Sequence, residues 1–272
     1  MNGAIEPGPS AVGSERTVTC DVGFVLRGPS TIRCGEDALW SEPGFCKKES
    51  IHMAAELGDL DAVKYLIKSM PELLESTRSA YGDSPLWRAA HNGQLEIVQL
   101  LLREGANIES KGLYGRTPLH EASALGHVDV VKELVKAGAN VYAVSNQHDS
   151  EDMPIHLAAF DGHLEVVRAL ADQFPDLVDK KDMHGRTPMD LAKMSTHDRS
   201  GDIVRYLKTK ICDGDPMIPN GVARNGTNSI GSERHIQCND GFSLIGANSV
   251  RCRPGGYWSE GGSCSRRRKF SF

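Results

Sequence analysis

Cysteine is the residue type with the most chemistry to offer in this chain, and its seven copies all lie toward the ends: Cys20, Cys34 and Cys46, then Cys212, Cys238, Cys252 and Cys264. None forms a Cys-x-x-Cys pair, so oxidation to disulfides is the chemistry expected of them rather than zinc binding. Adding 218 to each N-terminal landmark finds a twin: Cys20 to Cys238, Cys34 to Cys252, Trp40 to Trp258, Cys46 to Cys264. Gly13-Ser14-Glu15-Arg16 likewise maps onto Gly231-Ser232-Glu233-Arg234, so one module is written twice. The four cysteines of the second copy allow three pairings, and spacing alone does not choose among them.

A second group, His148, Asp149, Glu151, Asp152 and His156, has the residue types of a metal site. The acids are read instead as a solvated loop tip and His156 as part of a repeat, so no metal and no cofactor is expected. No glycine-rich phosphate loop, nucleophile elbow or His-Glu-x-x-His helix occurs, and an enzyme is not predicted.

Between the cysteine-bearing ends the chain repeats itself. Aligning on Ser50, Pro85, Pro118, Pro154 and Pro188 gives steps of 35, 33, 36 and 34 residues. Each anchor precedes a short apolar stretch such as Leu119-His120-Glu121-Ala122 or Ile155-His156-Leu157-Ala158-Ala159. Proline suits the first helical turn, where its missing N–H has no intrahelical partner. A glycine turn and a second helix follow, and in Gly93-Gln94-Leu95-Glu96-Ile97-Val98-Gln99-Leu100-Leu101-Leu102 the pattern places Leu95, Val98, Leu101 and Leu102 on one face. The last repeat carries an insertion, Ser195 to Ser200, read as a solvated loop.

Thr117-Pro118-Leu119-His120-Glu121-Ala122, recurring near 33 residues, resembles the consensus of the ankyrin repeat, and the resemblance covers about residues 49–210. It implies a solenoid of helical hairpins with β-turn fingers, each hairpin burying its apolar face against the next. By the same resemblance the motif histidine, His156 among them, bonds the neighbouring finger. The flanking layout, with Cys238-Asn239-Asp240-Gly241-Phe242 and Trp258 between cysteines, is similar to the sushi (complement control protein, CCP) module. That resemblance implies two small disulfide-rich all-β modules with the Trp in a minimal core, Cys212 paired with Cys252 and Cys238 with Cys264. In the first copy it pairs Cys20 with Cys46 and leaves Cys34 over. The twin of Cys212 would fall ahead of Met1, so the chain is read as a fragment that starts inside a module.

The expected organisation is a partial sushi module over 1–46, ankyrin repeats over 47–211, a sushi module over 212–264 and a basic tail over 265–272. Both joints are too short to act as flexible linkers. A module this small buries too little apolar area to hold itself together without its cross-links.

A net charge of -5 over 272 residues argues against nucleic acid as a partner. No apolar run reaches the length of a membrane span, and Met1-Asn2-Gly3-Ala4-Ile5-Glu6-Pro7 lacks the features of a signal peptide. Arg266-Arg267-Arg268-Lys269 is read as a solvated terminus. Asn225-Gly226-Thr227 is a glycosylation sequon, usable only in the secretory pathway. With the cysteines confined to the flanks, an extracellular or lumenal location is favoured over the cytoplasm.

The reading is therefore a monomeric, non-catalytic protein-binding module, its sushi modules acting as extracellular spacers or ligand sites. The alternative is an intracellular ankyrin adaptor with reduced or degenerate flanks. By resemblance the partner docks on the concave face of fingers and first helices. Asp83, Arg116, Asp152 and Arg186 occupy equivalent finger-tip positions and alternate in charge, either pairing across adjacent fingers or meeting the partner. Tyr81 and Tyr114 share another tip position, and Leu113, Leu125 and Phe160 are apolar at sites expected to be exposed, the composition of a binding hot spot.

Overall fold

A computed structural model of the chain describes residues 3–5, 14–20, 24–34, 41, 45–48, 50–78, 82–146, 151–212, 216, 218–219, 221–224, 226, 228–240, 242–253 and 257–266. By its internal contacts the chain divides into two compact units, one running to Leu113 and including Lys136–Gly138, the other holding the remainder.

The first unit opens with strands β1 (Gly3–Ile5), β2 (Glu15–Cys20), β3 (Phe24–Arg27), β4 (Thr31–Arg33) and β5 (Phe45–Lys48), paired antiparallel as β1-β2-β4 and β3-β5. Two helical hairpins follow: α1 (Ile51–Leu57) with α2 (Leu60–Ser69), and α3 (Pro85–His91) with α4 (Leu95–Arg103). The second unit contributes three more: α5 (Pro118–Ala124) with α6 (Val128–Lys136), α7 (Pro154–Phe160) with α8 (Leu164–Gln173), and α9 (Pro188–Met194) with α10 (Ser200–Lys208). It closes with β6 (Gly221–Ala223), β7 (Glu233–Cys238), β8 (Phe242–Ile245), β9 (Ser249–Arg253), β10 (Tyr257–Trp258) and β11 (Ser263–Arg266), ordered β10-β9-β7-β6 and β11-β8.

Every first helix starts beside its anchor because a local group satisfies the orphan N–H groups there. The Oγ of Ser84 accepts from the N–H of Trp87 at 3.1 Å, and Thr187 N–H donates to the carboxylate of Asp190. Within the first unit α1 packs on α3, and within the second α7 packs on both α5 and α9. Small residues make this close approach possible: Ala55, Ala89, Ala90, Ala122, Ala158, Ala159 and Ala192 are wholly buried. The second helices bury a broader stripe than the sequence suggests. In α4 the buried set is Ile97, Val98, Leu100 and Leu101, while Leu95 and Leu102 are only half-buried. The physical reason is that α4 meets both α3 of its own hairpin and α2 of the one before, so two adjacent faces are covered.

The duplicated module folds alike at both ends. Glu15 faces Arg33 across β2 and β4, and their twins Glu233 and Arg251 face each other across β7 and β9. Leu26 opposite Cys46 is matched by Leu244 opposite Cys264. Cys212 is bonded to Cys252 and Cys238 to Cys264. Trp258 is half-buried, with the Arg234 guanidinium 5.1 Å from its ring, so it shares the small core with an arginine rather than filling it alone. Cys34 is buried. The side chains of Cys20 and Cys46, and residues Trp40, Asn225 and 267–272, lie outside the described residues.

Hydrogen bonds tie each module to its neighbouring hairpin. In the first unit Arg27 of β3 pairs with Asp59, the N-cap of α2. In the second, α10 runs into a backbone ladder in which Ile230 N–H donates to Lys210 at 2.9 Å and Cys212 N–H to Asn228 at 2.8 Å. Asp179, in the turn after α8, accepts from the Asn228 N–H. Burial pushes its carboxyl above the usual range, against the opposing pull of the Asn228 and Ser229 N–H groups and Arg234.

Candidate partner-binding surface

The fingers are joined to one another through the first helices. His120 receives the Thr117 N–H on Nδ1 at 3.1 Å, which leaves Nε2 to donate to the Asp152 carbonyl of the next finger at 3.0 Å. His156 does the same, with the Met153 N–H at 3.2 Å and the Lys180 carbonyl at 3.1 Å, and His52 reaches Ser76 at 2.9 Å. The role implied for His156 is therefore the one it fills. Trp87 stands at this position in the second hairpin and is buried against Gly112 instead.

Three of the four charged tip positions pair with an opposite charge of their own repeat. Asp83 is buried, and it accepts from Arg88 of its own hairpin at 2.8 Å and from the Leu113 N–H at 3.3 Å. Arg116 pairs with Glu121 of its own α5 at 3.3 Å, and Arg186 with Asp182 of its own finger at 2.6 Å. Asp152 is also buried, which corrects its reading as part of a solvated tip, whereas Glu151 is exposed. His148 and Asp149 lie outside the described residues, as does Tyr81. Asp83 and Arg116 each reach a residue five positions on, in their own first helix, because the finger folds back over that helix, whereas Arg186 pairs with Asp182 four positions earlier in the same finger.

Tyr114, in contrast, is presented to solvent at 45% exposure on a backbone with φ of 59°, a left-handed conformation uncommon for a residue with a side chain. The Arg116 guanidinium lies 6.0 Å from its ring, and its carbonyl accepts the Asn146 N–H at 2.8 Å. Leu113, the residue before it, is half-buried. Leu125 and Phe160 are 42% and 44% exposed, but they sit at the far ends of α5 and α7 from the fingers. A seven-residue helix rises roughly 10 Å, so these side chains form a patch separate from Tyr114.

A second ladder at that far end escaped the sequence reading. Nine residues after each anchor stand Asp59, Gln94, His127, His163 and His197. Gln94 donates to the Glu56 carbonyl at 3.2 Å, and His163 Nε2 meets the Ala124 carbonyl at 2.9 Å, each tying a hairpin to the end of the previous first helix. A β-carbon on Gly126, whose φ is +75°, would lie 2.5 Å from the His163 ring. The constant offset from the anchor is the signal that could have exposed this series. His197 keeps the offset and packs on Gly162, so the inserted residues of the last repeat fall after it. Around these turns Asp161, His163, Glu165, His197, Asp198 and Arg199 line a groove of about 420 Å³.

No helix among the described residues is long and apolar enough to cross a membrane. The family model described as "Sushi repeat (SCR repeat)" matches residues 1–46 and 212–264, the two strand-rich ends. Both families are non-catalytic, and both suggest protein–protein interaction. Sushi modules with disulfides suggest a secreted setting, whereas ankyrin repeats are commonly intracellular. The model described as "Ankyrin repeats (3 copies)" matches residues 51–145 and 141–218, well over half of the sequence, and the chain belongs to the ankyrin repeat family.

Proposed function

We propose that this protein is a non-catalytic recognition protein whose ankyrin fingers and first helices grip a protein partner outside the cell, with the sushi modules as spacers and as covers for the ends of the repeats. The observation that carries this reading is Tyr114: an exposed aromatic on a left-handed backbone, stacked by Arg116, beside a half-buried Leu113. Folding alone gains little from holding such a side chain in water at a strained φ, whereas an aromatic anchor with an arginine neighbour is the composition that dominates binding energy. The two cystines of the C-terminal module favour the oxidised setting over an intracellular adaptor. Asp83, Arg116 and Arg186 act in this reading by shaping the fingers, through the bonds they make inside their own repeats.

The test compares proteins captured by the intact chain and by Tyr114→Ala, with thermal unfolding of both. Loss of a captured protein at unchanged stability supports the reading. Unchanged capture with a lower melting temperature overturns it. Mass measurement with and without reductant tests the compartment: two cystines in the C-terminal module fit the secreted setting, and seven thiols fit the adaptor.

A further inference from the structure

The groove at the helix turns of the second unit is lined in part by the second ladder, through His163 and His197. Asp161 also lines it, as the C-cap of α7 whose backbone N–H donates to the Leu157 carbonyl. Its half-buried carboxylate has no hydrogen-bond or ion-pair partner among the described residues. The side chains that act on it electrostatically are His163, Arg116, His197 and the like-charged Glu121. His163 is engaged with Ala124 and Arg116 with Glu121. Burial pushes the Asp161 carboxyl above its ordinary range, as expected of an acid that lacks a close donor. The remaining lining, Glu165 and Asp198 against Arg199, keeps the groove net negative when its histidines are neutral.

The first helices of this unit end in exposed apolar side chains. Leu125, Phe160 and Met194 close α5, α7 and α9 and are 42%, 44% and 58% exposed. These first helices pack in succession, at a spacing of about 10 Å that roughly three residues of extended chain would span. A net negative groove at the ends of helices that close in apolar side chains complements a cation flanked by apolar side chains. Among the described residues no group of His, Cys, Asp and Glu side chains is disposed to hold a metal ion; a guanidinium or ammonium group, in contrast, can meet a single carboxylate through its own N–H donors.

We propose that this groove binds an extended segment of a protein partner through one basic side chain, its guanidinium or ammonium group meeting Asp161 while apolar neighbours on either side cover Leu125, Phe160 and Met194. The inference rests on the reading that the repeats bind a protein, and it adds the chemistry of the bound segment. It also assigns a surface distinct from that of Tyr114.

The probe is a fluorescein-labelled peptide of sequence Leu-Ala-Ala-Arg-Ala-Ala-Leu, titrated against the full oxidised chain, beside the same peptide with neutral citrulline for arginine. The arginine peptide is expected to bind about tenfold more tightly and to move the ring signals of His163 and His197 in NMR spectra. Asp161→Asn is expected to abolish the difference and Asp161→Glu to keep most of it, with circular dichroism showing both folded. Equal affinity of the two peptides, or an arginine preference that survives Asp161→Asn, overturns the proposal. If that happens while Tyr114→Ala still loses its captured protein, the groove is excluded and the finger reading stands. If the arginine preference depends on Asp161 while Tyr114→Ala changes nothing, the groove stands and the finger is excluded.

Discussion

The indole nitrogen of Trp87 lies 2.6 Å from where a β-carbon on residue 112 would stand. Trp87 occupies the place that histidine holds in the first, third and fourth repeats, and the larger ring is accommodated because the next finger carries glycine there. A methyl group at 112 would also meet the Asp83 Oδ1 at 2.8 Å, and neither the ring nor the bonded carboxylate moves aside easily. Gly112→Ala is therefore expected to cost about 1–3 kcal/mol in urea unfolding. Combined with Trp87→His it should cost clearly less than the sum of the two single changes. Strict additivity would refute the coupling.

His156 gives the array a dependence on pH. Its Nδ1 accepts the Met153 N–H, so protonating that nitrogen would destroy the bond, and burial first of all holds its pKa below the usual 6.5. The unfolded chain then binds the proton more readily than the folded one. Stability from this group is full above about pH 6.5 and is lost as pH falls from there toward the folded pKa. His52, likewise lowered by burial, acts in the same direction. The urea midpoint should drop between about pH 7 and pH 5, and His156→Gln should flatten that slope while lowering stability at neutral pH. A slope unaltered by His156→Gln would refute the assignment.

The bond between Cys212 and Cys252 closes a 40-residue separation, and Cys212 lies shortly after the end of α10 at Lys208. Replacing both cysteines with alanine should destabilise the C-terminal module by about 3–4 kcal/mol. Because the Ile230 N–H bonds Lys210 and the Cys212 N–H bonds Asn228, hydrogen exchange should quicken at residues 212 and 230, while α5 and α7 stay protected. Unchanged exchange at 212 and 230 would show that the joint holds without the cross-link.

Much of this molecule is legible before folding is considered. The anchors at Pro85, Pro118, Pro154 and Pro188 each begin a helix where the capping chemistry demands one, and the shift of 218 residues recurs strand for strand in the register of Glu15 with Arg33 and Glu233 with Arg251. The candidate surface is less legible. Asp83 and Arg116 read as exposed tip charges but are consumed by Arg88 and Glu121, because a finger's curl over its own helix is invisible in a linear pattern. Tyr114 and Leu125 read as one patch and lie at opposite ends of α5.

Period and duplication are written as residue identities at fixed offsets, and capping acts between residues only a few positions apart, so the sequence by itself determined that this chain would be helical hairpins between two copies of one cysteine-bearing module. Which side chains are spent and which remain available was decided only by the tertiary structure. Among the described residues Asp161 has no hydrogen-bond or ion-pair partner and His163 has one, because of what neighbouring hairpins bring to them: the His163 ring lands on the Ala124 carbonyl, 39 positions back, while no described donor bonds the Asp161 carboxylate.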